Sequence, residues 1–165
     1  MSTESARLTP LYRVAKREVP AEISLVGQPP APFRLFLSGQ ARLHAGDERP
    51  SDLLNGGESF IPAVDRQGVV HFLCRDTLLI VSVAADHEFG SETAPETAAP
   101  PTVRQQVQVL LEDGVTVKGV VESRMPEPKN RLLDCLNLAD RFLAVRAGPT
   151  VHLVNKTRIV RVDAS

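Results

Sequence analysis

The chain has 165 residues, 42% hydrophobic and 24% charged, a balance that supports a folded core rather than a disordered polymer. Its net charge of −1 supplies no global field for nucleic acid or an anionic membrane. Aromatic residues make up only 4%, with no Trp, so platforms on which bases stack are scarce.

Met1 to Ala6 is polar and lacks the apolar centre of a signal peptide. No run approaches the ~18 apolar residues of a membrane span. The expectation is a soluble, cytoplasmic protein without a membrane partner. Residues 1–18 read as a separate arm carrying Arg7, Arg13, Lys16 and Arg17.

A first module is expected over residues 19–84. Glu22 to Val26 alternates polar and apolar residues, as a half-buried strand does. A Gly- and Pro-rich turn, Gly27 to Pro32, leads to a second strand over Phe33 to Leu37. Residues 85–103 are acidic, rich in Pro, Ala and Thr, and almost free of large apolar side chains. Such a segment cannot bury a core and reads as a linker.

The second module, residues 104–165, has the clearer pattern. Gln106 to Leu111 alternates, and Asp113-Gly114 signals a tight hairpin. Val115, Val117 and Val121 share one face of the next strand, with Thr116 and Lys118 on the other. Gly119, inside that strand, marks a bulge, a bend or a close backbone approach. Leu132 to Leu136 reads as a third strand and Phe142 to Val145 opens a fourth. Arg146 to Pro149 is a turn before the β-rich run Thr150 to Val154. Asn155 to Arg158 makes a corner, and Ile159 to Val162 closes the module.

The two modules repeat one pattern. Asp52 falls on Asp134, Leu54 on Leu136, Asn55 on Asn137 and Phe60 on Phe142. One residue is lost near Pro62. Then Ala63-Val64 falls on Ala144-Val145, and Val70-His71-Phe72 on Val151-His152-Leu153. Arg75 matches Lys156 and Leu78 matches Ile159. Upstream the match is looser: Glu22 to Val26 shares the alternation of Gln106 to Leu110, and Phe33 to Leu37 resembles Val115 to Gly119. The fold class expected is all-β, with two tandem five-stranded small barrels related by internal duplication. A module of ~60 residues is marginal alone, which favours packing of the copies on each other or further assembly.

The run Val107 to Gly119, followed by Val151 to Ile159, resembles Sm-like, SH3-type small barrels. The resemblance implies RNA binding and ring assembly. Two departures stand against a direct transfer. The last corner of such barrels pairs a basic residue with Gly, whereas this chain has Lys156-Thr157 and Arg75-Asp76. The first module also replaces the tight hairpin with Gly27 to Pro32.

Candidate site residues follow from the repeat. Asp52, Asn55, Asp134 and Asn137 are expected to bond nearby backbone where a strand leaves the sheet. His71 and His152 are expected as strand histidines held by hydrogen bonds. His71 and Cys74 have ligand-like spacing, but metal sites need three or four ligands, and Asn155 replaces Cys74 in the second copy. No metal or cofactor is therefore expected. Cys74 and Cys135 read as small buried hydrophobes. Lys129, Arg131, Lys156 and Arg158 give the second module a slight positive excess, a candidate surface for a partner or for phosphate.

No phosphate loop, Gly-x-Ser-x-Gly elbow or zinc-protease helix is present. The expected function is non-catalytic binding or scaffolding, through protein contacts or self-association, with Sm-like RNA binding as the alternative.

Overall fold

The computed structural model describes residues 16–42, 44–90, 103–123 and 131–165. The first half forms β1 (Lys16–Leu25), β2 (Ala31–Ser38), α1 (Pro50–Leu54), β3 (Phe60–Val64), β4 (Val70–Cys74), β5 (Leu78–Ala84) and α2 (Ala85–Phe89). The second forms β6 (Val103–Leu111), β7 (Thr116–Ser123), α3 (Leu132–Leu136), β8 (Phe142–Ala147), β9 (Thr150–Asn155) and β10 (Ile159–Ala164). A single 3₁₀ turn precedes β5 and another precedes β10.

The protein is mostly β. Ten antiparallel strands form one open sheet in the order β10-β6-β7-β8-β9-β5-β1-β2-β3-β4. The halves therefore have the same strand order. They meet where β5 pairs with β9, from Ile80 opposite Val154 to Ala84 opposite Thr150. The strands form one continuous sheet instead of two separately closed barrels. Small sheets of five strands leave unpaired edges, and pairing β5 with β9 satisfies two of them.

Local hydrogen bonds repeat as well. Arg75 N–H donates to Ser59 O, and Lys156 N–H to Arg141 O. Leu53 N–H donates to Arg49 O, and Cys135 N–H to Arg131 O. Asn55 N–H reaches Ser51 O, and Asn137 N–H reaches Leu133 O.

Several expectations are corrected. Leu132–Leu136 is a helical turn, not a strand, and Pro50–Leu54 matches it. A five-residue run with Leu at both ends of its apolar pattern, such as Leu132-Leu-Asp-Cys-Leu136, fits either period. The acidic residue at the third helical position decides here: Arg49 N–H donates to Asp52 Oδ2 at 2.8 Å and Arg131 N–H to Asp134 Oδ2 at 3.1 Å. The expected arm and linker are both shorter at their inner ends, because Lys16 to Glu18 belong to β1 and Val103 to β6. The first five linker residues form α2, anchored by buried Ala85 and Glu88. Residues 1–15 and 91–102 lie outside the described residues.

The upstream alignment also shifts. Glu22 lies opposite Ser82, and Gln108 opposite Asp163, so Glu22 corresponds to Gln108 and not Gln106. A slip of two residues leaves strand alternation unchanged and is invisible to it.

Two cores flank the junction, and each takes residues from both halves. The first contains Leu35, Leu54 and Val81 together with Phe142, Val151 and Leu153. The second contains Val109, Val117 and Val145 together with Leu79 and Ile80.

Candidate functional site

The junction is clamped by polar groups that the fold brings from distant positions. Asn55 sits just past α1, and its Oδ1 accepts the Phe142 N–H at 2.8 Å. Asn155 is fully buried at the end of β9; its Nδ2 donates to Leu78 O at 2.8 Å and its Oδ1 accepts from Thr157 N. Arg158 donates through Nε and Nη2 to Asp76 O and through Nη1 to Glu112. Arg141 pairs with the Asp76 carboxylate at 2.6 Å. Arg146 lies over the Phe89 ring at 5.4 Å, tying α2 to β8.

A groove of about 280 Å³ crosses the junction, its lining including Glu22, Ile80, Ser82, Lys118 and His152. Glu22, Ser82 and His152 lie side by side on β1, β5 and β9. The Ser82 hydroxyl and His152 Nδ1 are 2.7 Å apart. Burial holds the His152 pKa below its usual value, against the opposing pull of Glu22. This row has the wrong order for a hydrolytic relay, in which the imidazole stands between serine and carboxylate. Here the serine stands in the middle.

No family model, curated protein or solved structure matches this chain. Its own surfaces carry the functional information.

The two open edges are those surfaces. Among the described residues, strand β4 has no neighbour beyond it, and β10 has none at the other end of the sheet. Along edge β4 lies a cluster of exposed apolar side chains: Val70 and Phe72 on β4, Val69 just before it and Phe60 on the adjacent β3. At edge β10, Val160 is exposed, beside an ion pair of Arg161 with Asp163.

The residues singled out by the sequence fall into three places. Asp52 and Asp134 cap α1 and α3, and Asp52 also bonds His44 Nε2 at 2.6 Å. Asn55 and His152 lie at the junction, whereas Asn137 and His71 occupy the matching positions at the open ends. His71 Nε2 bonds Asp65 at 2.8 Å and its ring meets Phe33 edge-on, which helps hold the Asp65 pKa below the usual carboxylate range. Of the four basic residues, Lys129 lies outside the described residues and Arg131 is exposed. Lys156 is turned inward, donating to Cys135 O and Leu138 O, and burial lowers its pKa. Arg158 is engaged by Asp76 and Glu112. Lys156 and Arg158 are thus both engaged within the molecule. Arg75, matching Lys156, is buried and donates to Gly56 O.

The described residues contain no group of three or more His, Cys, Asp or Glu arranged to hold a metal ion. Cys74 and Cys135 are both free thiols, and Cys135 is buried. No described helix is long and apolar enough to cross a membrane.

Sequence reasoning missed the edge cluster. Its signal was present in Val69-Val70-His71-Phe72, but only the strand order shows that no described strand covers it.

Proposed function

We propose that this chain is a non-catalytic binding or scaffolding protein, built from two copies of one small, five-stranded, SH3/Sm-like module, that acts through protein contacts at its sheet edges. The duplication is supported by the matching sequence positions, the common strand order and the repeated hydrogen bonds. The observation that carries the function is the apolar rim at open strand β4, where Val70, Phe72 and Phe60 of the adjacent β3 stand in solvent beside a strand edge that has no partner among the described residues. A sheet edge of this kind accepts an added strand, with main-chain bonds for affinity and side-chain pockets for selectivity. Exposed apolar clusters on a folded protein mark contact surfaces.

The test is crosslinked capture on tagged chain, from native extract supplemented with untagged chain. Wild type is expected to retain protein, and Val70→Lys with Phe72→Lys to lose it. Equal retention by both removes the edges from the function. Fluorescence anisotropy with short A-rich and U-rich RNAs at ~50 mM salt provides the opposing arm, since phosphate contacts are strongest there. Tight RNA binding without edge-dependent protein capture replaces this reading with RNA recognition.

A further inference from the structure

The junction inside the chain is a head-to-tail contact: the fifth strand of one half pairs with the fourth strand of the other. That contact leaves over one fourth strand, β4, and one fifth strand, β10. These are the same two kinds of edge that have already joined. We propose that a second copy of this chain docks its β10 against β4, repeating the internal junction between molecules. The proposal rests on the reading of the edges as protein-binding surfaces, and it names the partner.

Burial supports it position by position. Phe142 is 4% exposed and Val151 and Leu153 are 0% exposed, because all three enter the core of the other half. Their counterparts Phe60, Val70 and Phe72 are 59%, 51% and 72% exposed. On the other edge, Leu79 is 2% exposed, whereas its counterpart Val160 is 64% exposed. The positions that are buried at the internal junction are the ones left bare at the ends.

The polar contacts carry over in part. Asn55 caps the Phe142 N–H across the junction; Asn137 and Phe60 are the equivalent pair, and the exposed Asn137 side chain makes no hydrogen bond among the described residues. Transferring the internal register places Val162 opposite Phe72, Asp163 opposite His71 and Ala164 opposite Val70 of the next copy. Where the junction has Ser82 against His152 Nδ1, the docked edges set the Asp163 carboxylate against His71. His71 already bonds the Asp65 carboxylate through Nε2, so its Nδ1 can donate to the Asp163 carboxylate only in the doubly protonated ring.

The remaining clamp does not carry over. Asn155, Asp76 and Arg158 correspond to Cys74, Thr157 and Thr77. The contact between molecules is therefore weaker than the internal one, and reversible. A head-to-tail contact closes into a ring or propagates as a chain, according to the rotation it imposes.

Light scattering after size exclusion, with native mass spectrometry, tests this on the purified full chain from about 1 to 500 µM. The expected result is a mass above one chain that grows with concentration. One discrete multiple marks a ring and a ladder marks a chain; both carry the proposal. Phe72→Lys and, on the opposite edge, Val160→Lys are each expected to yield single chains with unchanged melting temperature, since both side chains are exposed. Asn137→Ala is expected to weaken association about fivefold, as one hydrogen bond contributes on the order of 1 kcal/mol. Mixing Val70→Cys chains with Ala164→Cys chains is expected to give a disulfide between the two kinds, located by peptide mapping. A single-chain mass throughout overturns the proposal, as does a disulfide only between two Val70→Cys chains, which marks a symmetric edge contact. Edge-dependent capture of a different protein by a chain that stays single leaves the binding function standing and removes self-assembly.

Discussion

Glu88 shows how a single side chain ties the supposed linker to the fold. It is buried, and its Oε2 accepts the Ser51 N–H at 3.1 Å at the start of α1. Burial raises its pKa above the usual carboxylate value, outweighing the Ser51 hydrogen bonds that lower it. The folded state therefore holds the proton more tightly than the unfolded state. Stability from this group is fully present below the unfolded pKa and is lost as pH rises through the raised folded value. Glu88→Gln keeps the acceptor for Ser51 and has no charge to bury. The variant is expected to match wild type near pH 4 and to exceed it at neutral pH, measured by urea unfolding across that range. Asn55 is the opposite case among repeated polar residues: its partner, Phe142 N–H, is remote in sequence, so no local pattern announced it.

At the scale of elements, features set by local chemistry were legible. The Asp113-Gly114 hairpin forms as expected, with Gly114 at φ +86° and Asp113 accepting the Val115 N–H. The turn expected over Arg146 to Pro149 narrows to Gly148-Pro149, because Arg146 and Ala147 continue β8 and pair with β9, and the Asn155 corner falls where turn residues placed it. Gly119 is a close approach: a Cβ there would lie 2.4 Å from Arg146 O and 2.8 Å from Val145 Cγ1. The oxygen is backbone in the neighbouring strand and cannot swing aside. Gly119→Ala is expected to cost about 1–3 kcal/mol by forcing β7 from β8, read as a lower urea midpoint. Helices α1 and α3 were not legible as helices, because five residues span barely more than one turn and carry no period. Helix α2 was hidden for a different reason. The segment's overall composition is that of a linker, and its first turn is folded only through Ala85, Glu88 and Phe89, which contact other elements.

For the whole molecule, the sequence pattern separated two modules while the structure merges their cores. Repetition is a property of each copy, whereas the junction depends on where edges meet, which no pattern within one copy encodes. The open edges were illegible for the same reason. Because Phe142, Val151 and Leu153 fill the first core and Leu79 and Ile80 the second, neither core is complete in one half. The protein is expected to unfold in one cooperative transition. Hydrogen exchange in β1 and in β6 should lose protection at the same urea concentration; separate midpoints would show that the cores are independent.

The order of strands along the chain gives edge β4 a history as well as a position. Val69 to Cys74 is an uncharged, β-prone run without Pro, the composition that templates unwanted strand pairing. A ribosome finishes it before any residue of β9 or β10 has been made. At roughly 5–20 residues per second, the wait for β10 is on the order of ten seconds. During that interval a nascent chain displays the sticky end of the sheet without its complement, and on a crowded polysome the nearest identical ends belong to its neighbours. The strand proposed as a docking edge in the finished protein is thus also a point at which its synthesis is exposed to error.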